Sequence, residues 1–239
     1  MLGARVLRLF AISGIASQVL FCLSRFVAQF FERDSYSIYR DFTSDLGSLT
    51  AAHPLPYNVG VSVAGLLSVP LAIALYAVFR QYRWGTVGAL LIGVFAVGQF
   101  IDGLAREDCS PRLDACKAIG DGPGFSWHHQ LHDIETLFTA LAIVITPFVF
   151  VAVFGRVAEW RPLRLPSLIW GLATLAIVVA SVLVAFQDAQ PAAGLLERLL
   201  VTSATGWAGA VAWWMPRGGA TTGLGGIAVH STPLRLGIC

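Results

Sequence analysis

Charged residues are scarce in this chain of 239 residues, where Asp, Glu, Lys and Arg together make up only 13%. Soluble domains carry about one quarter charged residues. Hydrophobic residues reach 56% and the mean hydropathy is +0.71, so the composition predicts an integral membrane protein. The alternating pattern of barrel strands is also absent. Because every backbone N–H and C=O in lipid must be satisfied within its own segment, we expect helical spans.

Six apolar stretches are long enough to cross a membrane, which takes about 20 residues of helix. They lie at approximately 10–31, 57–79, 84–104, 127–154, 168–187 and 195–215. The first is too long, and has too little of a cleavage site, to be a removed signal peptide. The prediction is an all-α polytopic membrane bundle with six transmembrane helices over residues 1–215. A Gly/Thr-rich cytoplasmic tail, expected to be disordered, follows over 216–239.

Basic residues are distributed unevenly over the connecting segments. With a cytoplasmic N-terminus, the inner segments hold nine Arg residues and the outer loops hold five Arg or Lys residues. The positive-inside rule then favours both termini inside, in a multi-pass protein of the plasma (cytoplasmic) membrane. The net charge of +2 therefore reflects the orientation of the protein in the membrane, because the excess of basic residues lies in the inner segments. We expect membrane lipids and a hydrophobic small-molecule substrate as partners, and no nucleic acid.

Cysteine is also rare, and only Cys109 and Cys116 lie close together among the four cysteines. A zinc ribbon needs two close pairs. The predicted topology puts this loop outside the cell, where a disulfide persists. The sequence therefore predicts a Cys109–Cys116 disulfide.

A histidine cluster at positions 126–133 opens the fourth apolar stretch and contains three of the five histidines. Burying ionisable groups in lipid costs at least a few kcal/mol each, so the cluster needs a common explanation. His128 and His132 are i,i+4 neighbours on one helical face. Two imidazoles there suit a divalent metal, and Asp102 is the best placed oxygen donor. The predicted metal site is His128, His132 and Asp102, with zinc as the candidate cofactor.

Other polar residues are predicted to lie within about two helical turns of the same outer surface. They include Glu135 on the fourth stretch. The candidate catalytic residues are Asp102, His132, Asp133 and Asp45. The candidate substrate-binding residues are Arg25, Arg198, His129 and Ser44.

Simpler interpretations of the same residues stay open. Histidines beside Trp127 are typical of interfacial anchors, and Ser44-Asp45 is typical of a capping turn. Asp102 would then simply pair with Arg25, Arg198 or a histidine. Three interpretations follow: a structural or interfacial cluster, a metal site, or a metal-free acid/base or ligand-binding site.

Four motifs stand in order along the chain: Ser44-Asp45-Leu46-Gly47, Asp102, a cysteine-containing loop, and His128/His129 with Leu131-His132-Asp133. Over residues 8–215 this succession resembles the DUF998 family of bacterial six-helix membrane proteins. The resemblance implies the architecture and a polar outer site, but no reaction. The pattern is more remotely similar to the ceramidase-like superfamily of membrane hydrolases, in which a serine, an aspartate and three histidines hold a zinc. This chain differs in its six spans and in having its histidines together on one helix.

The sequence leaves open whether the protein is an enzyme. As an enzyme it would act on a lipid or isoprenoid-like molecule by acid/base or metal-assisted chemistry, in which zinc lowers the pKa of a bound water to about 7. As a non-catalytic membrane protein it would serve ligand or proton-coupled transport, with histidine protonation as the switch, or assemble with other membrane proteins.

Overall fold

The computed structural model describes residues 2–110, 113, 116, 118, 124–187 and 190–218. Within these residues it contains helices and no strand. The six long helices are α1 (Ala4–Phe30), α2 (Leu55–Phe79), α3 (Arg83–Asp102), α4 (Trp127–Phe154), α5 (Arg164–Ala185) and α6 (Ala193–Gly218). Short 3-10 helices follow α1 at Ser44–Gly47 and precede α5 at Ala158–Leu163. Most of the predicted tail, from residue 219 onward, lies outside the described residues.

Helices α1 to α5 are long and apolar enough to cross a membrane. Helix α6 has 26 residues but is not among these five, and it carries Glu197 and Arg198 in its first two turns. The prediction of an all-helical, polytopic membrane bundle is confirmed, and the chain is a multi-pass membrane protein.

Neighbouring helices along the chain pack against each other, and α6 closes the bundle by packing on both α1 and α5. The densest part of the core is aromatic. Phe79 packs on Trp160 and Phe150 with ring centroids 4.9 Å and 5.8 Å apart, and all three side chains are fully buried. Aromatic pairs in such geometries add to the stabilisation from burial. This cluster fixes the end of the bundle where α2 turns into α3.

The opposite end of the bundle, here called the loop end, is where α1, α3 and α5 finish and α2, α4 and α6 begin. Two long connections lie there, over 31–54 and 103–126. The predicted disulfide in the second connection is confirmed, because Cys109 and Cys116 are bonded.

Helices α3 and α4 come into close contact one turn below the loop end. A Cβ added at Gly98 would overlap the Thr139 side chain and lie 2.9 Å from Oε2 of Glu135. Glycine at this position therefore lets the two backbones approach. The approach brings Asp102, four residues after Gly98, close to the start of α4.

Candidate functional site

A cavity of about 330 Å³ opens inside the loop end, with walls from α1, α2, α3, α4 and α6. Ionisable side chains gather near the loops, whereas Phe95, Ala140 and Ile143 line the deeper part. The cavity reaches the molecular surface at Asp133 and Thr136, which line it and are exposed. Its acidic and histidine lining residues are Asp102, Glu107, His132, Asp133, Glu135 and Glu197.

His132 is the centre of the polar part. Its Nδ1 lies 3.4 Å from Oδ1 of Asp102 and 4.0 Å from Oε1 of Glu135, and its Nε2 lies 3.1 Å from Oε1 of Glu107. The His132 side chain is only 7% exposed. Carboxylates therefore face both ring nitrogens of a buried imidazole.

Asp102 is oriented by the neighbouring helix α2. The Tyr57 hydroxyl donates to Oδ2 of Asp102 at 3.1 Å. The other oxygen, Oδ1, has no hydrogen-bond partner among the described residues, and neither has Nδ1 of His132. Two buried polar atoms thus face each other without a hydrogen bond, although buried polar groups are nearly always paired.

Glu107 links both long connections to the site. Its Oε1 accepts the Ser44 hydroxyl at 3.1 Å in addition to facing His132. Its backbone carbonyl accepts the N–H of Leu49 at 2.9 Å. The Ser44–Gly47 helix and the disulfide-bonded loop therefore meet at the polar end of the cavity.

Helix α6 is joined to the first connection by two adjacent side chains. Glu197 lines the cavity and accepts the backbone N–H and the hydroxyl of Thr43, both at 2.6 Å. Arg198 does not line it. Its Nη1 donates to the carbonyl of Asp41 at 2.7 Å and its Nη2 to the Tyr36 hydroxyl, so Arg198 holds the loop in place.

His128 and His129, which precede His132 on α4, hold the disulfide-bonded loop rather than lining the cavity. Nδ1 of His128 lies 2.5 Å from the carbonyl of Arg106, so this nitrogen must carry the proton and donate. Nδ1 of His129 accepts the N–H of Asp108 at 3.0 Å. The predicted trio of His128, His132 and Asp102 is therefore not brought together: His132 and Asp102 meet, and His128 does not join them.

Asp108 completes this attachment by accepting the N–H and the hydroxyl of Ser126, both at 2.7 Å. Ser126 in turn caps α4 by accepting the N–H of His129 at 3.3 Å. Burial acts to raise the pKa of Asp108, but the Ser126 hydrogen bonds and nearby His128 outweigh it and hold that pKa below its usual value.

Of the remaining predicted site residues, Ser44 lines the cavity and Asp133 lies at its mouth. Arg25 is buried on α1 with its Cζ 4.6 Å from the Phe21 ring centroid, and its Nε and Nη1 have no hydrogen-bond partner among the described residues. Asp45 is buried beneath the loops and lines a second polar cavity of about 380 Å³. Burial, with Glu107 and Glu197 nearby, raises the pKa of Asp45 to about 8.

Asp102, His132 and Glu135 form a group of side chains that could hold a metal ion. One nitrogen and two oxygens lie within 4.8 Å of one another. Tetrahedral zinc with bonds of about 2.0–2.2 Å needs donors about 3.4 Å apart. The separation from Nδ1 of His132 to Asp102 is 3.4 Å, which equals that value, whereas the separation to Glu135 is longer, at 4.0 Å. Glu107 on the opposite ring nitrogen matches the carboxylate that usually orients a metal-bound histidine.

Comparison with known protein families gives a match over residues 15–214 to a family described as "Protein of unknown function (DUF998)". The chain belongs to the DUF998 family. No curated protein and no solved structure matches this chain. The family match agrees with the resemblance found in the sequence and adds no reaction.

Several cavity residues of this DUF998 protein were not among the candidates from the sequence. Glu107 lies in a loop whose path local patterns do not reveal, and Glu135 was noted for its depth and its spacing but was not named as a site residue. A usable signal existed for Glu135, since it follows His132 by three residues and so shares its helical face. The other unpredicted polar lining residues include Tyr57, Gln99 and Glu197.

Proposed function

We propose that this DUF998 protein binds the polar end of a lipid or isoprenoid-like molecule at Asp102, His132 and Glu135, and acts on it by metal-assisted acid/base chemistry. One observation carries the proposal. Nδ1 of His132 and Oδ1 of Asp102 lie 3.4 Å apart, with no hydrogen bond to any described residue, at the polar end of a cavity whose deeper part is apolar.

Electrostatics favour a cation between these atoms. When Nε2 of His132 donates to Glu107, Nδ1 carries a lone pair that points toward two carboxylates. That arrangement is repulsive unless a proton or a metal ion lies between the donors. A divalent metal held by Asp102, His132 and Glu135 would remove this repulsion.

Each neighbouring side chain has a defined part in this proposal. Glu107 fixes the proton on Nε2 of His132, and Tyr57 turns Oδ1 of Asp102 toward the centre. The hydroxyls of Thr136 and Thr139 donate to Glu135 at 3.1 Å each, which fixes its carboxylate. A bound zinc would supply an activated water at neutral pH. Asp133 lies at the mouth of the cavity, on the side of the loops.

The remote similarity to ceramidase-like membrane hydrolases supports hydrolysis as the reaction class. The donor set differs, because His132 is the only histidine that lines the cavity among the described residues. A metal here would therefore be held by one nitrogen and two carboxylate oxygens. We place the loop end on the outer side of the plasma membrane, because the distribution of arginines and the Cys109–Cys116 disulfide both support that orientation.

The second candidate function is proton-coupled ligand binding or transport without a metal. It is favoured by the carboxylates on both sides of His132, since an imidazole between two acids can receive a proton on one nitrogen and release it from the other.

Metal analysis of the purified protein tests the proposal. Wild-type protein should contain about one zinc per chain, and His132→Asn and Asp102→Asn should lose it. His128→Asn is the matched control on the same helix and should keep the metal. Size-exclusion chromatography confirms that each variant is folded. Metal-free wild-type protein would favour the proton-coupled function, and loss of metal in His128→Asn would contradict the ligand set.

A further inference from the structure

The polarity of α3 changes in regular steps along one helical face. Asp102, Gln99, Phe95 and Ile92 follow one another at spacings of three or four residues, which places them on the same side of the helix. The first three line the main cavity, and Phe95 and Ile92 line a small cavity directly below it. The face therefore changes from a carboxylate to an amide and then to hydrocarbon.

The facing helices repeat this order. On α4 the lining residues run from His132 through Thr139 to Ile143, and on α6 from Glu197 to Val201. Helices on opposite sides of the cavity thus place their charged groups at one level and their apolar groups at another. A ligand that satisfies all of them has one polar end and one hydrocarbon end.

The depth of the cavity matches one leaflet of a bilayer. From His132 to Ile143 along α4 the helical rise amounts to about 16 Å, and half of the hydrocarbon core is about 15 Å. Phe95 and Ile143 also line the small cavity below, together with Trp170 and Trp207. Hydrocarbon of a bilayer lipid lies at this depth.

The mouth of the cavity opens on an apolar surface. Thr136 lines the cavity and is exposed, and the same helix exposes Ile134, Leu137 and Leu141. In a membrane this surface is covered by lipid. A hydrocarbon chain can therefore pass sideways from the bilayer into the cavity without crossing water.

Gln99 offers a hydrogen bond between the two regions. It is 3% exposed, and its Oε1 accepts the Ser68 hydroxyl at 3.2 Å, whereas its Nε2 has no hydrogen-bond partner among the described residues. A buried amide N–H without a partner, on a residue that lines the cavity, would gain a hydrogen bond from a ligand oxygen at this level. It lies one helical turn below Asp102.

We infer that the ligand is a single-chain amphiphile with an oxygen atom about one helical turn from its polar end, held by Nε2 of Gln99, and with its chain between Phe95, Ile143 and Val201. The inference rests on the proposed function and specifies its substrate. A cavity of about 330 Å³ is at the small end for a ligand site, which favours one chain over a two-chain lipid.

Tryptophan quenching tests the inference on the full chain in phosphatidylcholine nanodiscs. The probe is stearic acid brominated at mid-chain, whose bromines quench Trp207 and Trp170 by contact. Wild-type protein should show a saturable component that unlabelled stearic acid displaces. Ala140→Phe fills the cavity and should weaken this binding at least about tenfold. Leu141→Phe, which adds its ring on the exposed side of α4, should bind as wild type. If Ala140→Phe does not fold, Ala204→Phe narrows the small cavity from α6.

The Gln99 contact is tested separately, by comparing two competing fatty acids. A β-hydroxy fatty acid should compete better than the unsubstituted acid in wild type, and Gln99→Leu should remove that preference. Any of three results would overturn the inference. These are quenching that never saturates, equal binding by Ala140→Phe and wild type, and a preference for the β-hydroxy acid that survives in Gln99→Leu. The same experiments distinguish this inference from the proposed function. If the purified protein holds no metal but Ala140→Phe still weakens binding, the chain-binding site stands and the metal chemistry is contradicted.

Discussion

Nδ1 of His132 lies 3.4 Å from Oδ1 of Asp102, and this contact joins the start of α4 to the end of α3. Its short length depends on the crossing of the two helices at Gly98, one turn away, where a side chain would overlap Thr139. The backbone geometry of α3 thus sets the spacing of the site.

We expect Gly98→Ala to separate α3 from α4 and to destabilise the protein by about 1–3 kcal/mol, as is usual for overpacked cores. The separation of Asp102 from His132 should increase with it, so bound metal should be lost together with thermal stability. Gly93→Ala is the matched control on the same helix, because a Cβ there meets nothing within 4 Å. Equal behaviour of the two variants would show that the crossing does not set the site.

Glu107→Gln removes the charge that faces Nε2 of His132 while keeping a similar shape. Loss of such an outer partner typically weakens metal affinity by about 10–100-fold. A zinc competition titration measures the change. Glu32→Gln is the control, because Glu32 is another loop glutamate, bound to the N–H of Ala52 at about 3.1 Å, and does not line the main cavity. Unchanged zinc affinity in Glu107→Gln would show that Glu107 does not support metal binding.

The helices and the disulfide could be predicted from the sequence because local information specifies them. Apolar length predicted all six long helices, of which α1 to α5 are apolar enough to cross a membrane. Cys109 and Cys116 are near neighbours whose predicted topology placed them in an oxidising compartment. Asp102 was also predictable, since a carboxylate that ends an apolar span needs a partner.

The residues of the site could be predicted only in part, because helical spacing does not reveal which side chains a loop brings into contact with a helix. The i,i+4 rule correctly placed His128 beside His132, but the carbonyl of Arg106 occupies Nδ1 of His128. Glu107 occupies the other side of His132. Both partners come from the connection between α3 and α4, whose path depends on tertiary contacts. Arg198 lies at the loop end, but it donates to the carbonyls of Asp41 and Gly194 and to the Tyr36 hydroxyl and not to a cavity residue.

Replacing both Cys109 and Cys116 by serine should loosen the loop that carries Glu107 and Asp108. Loss of a native disulfide typically costs about 2–4 kcal/mol. Thermal unfolding should shift downward, and limited proteolysis should cut the loop faster than in wild type. Cys22→Ser, which alters a free cysteine on α1, should change neither property. Resistance of the double variant to proteolysis would mean that Asp108 and Ser126 suffice to hold the loop.

The orientation of the bundle can be tested by labelling single cysteines in intact cells, in a background with Cys22 and Cys239 replaced by serine. Ser35→Cys lies at the loop end and Gln81→Cys in the turn at the other end, and both positions are exposed. We expect an impermeant maleimide to label Ser35→Cys only, because the arginine bias places the loop end outside. Labelling of Gln81→Cys only would show that the loop end faces the cytoplasm.

Asp45 should make stability fall as pH rises from about 4 to about 8. Burial, followed by repulsion from Glu107 and Glu197, raises its pKa from 3.8 to about 8. In that range the folded protein holds a proton that the unfolded chain has released. The stability that Asp45 contributes is therefore complete below the unfolded pKa and lost as pH passes the folded one. The loss should be on the order of a few kcal/mol.

Asp45→Asn separates this effect from the rest of the protein, because the amide keeps an oxygen that can accept the N–H of Phe42, as Asp45 does at 2.9 Å. Thermal unfolding measured from pH 5 to 8 should decline less steeply in Asp45→Asn than in wild type. Asp34→Asn, at an exposed position in the same connection, should follow the wild-type slope. Parallel slopes for Asp45→Asn and wild type would mean that Asp45 is ionised in the folded protein, and that Glu107 and Glu197 do not hold its proton in place.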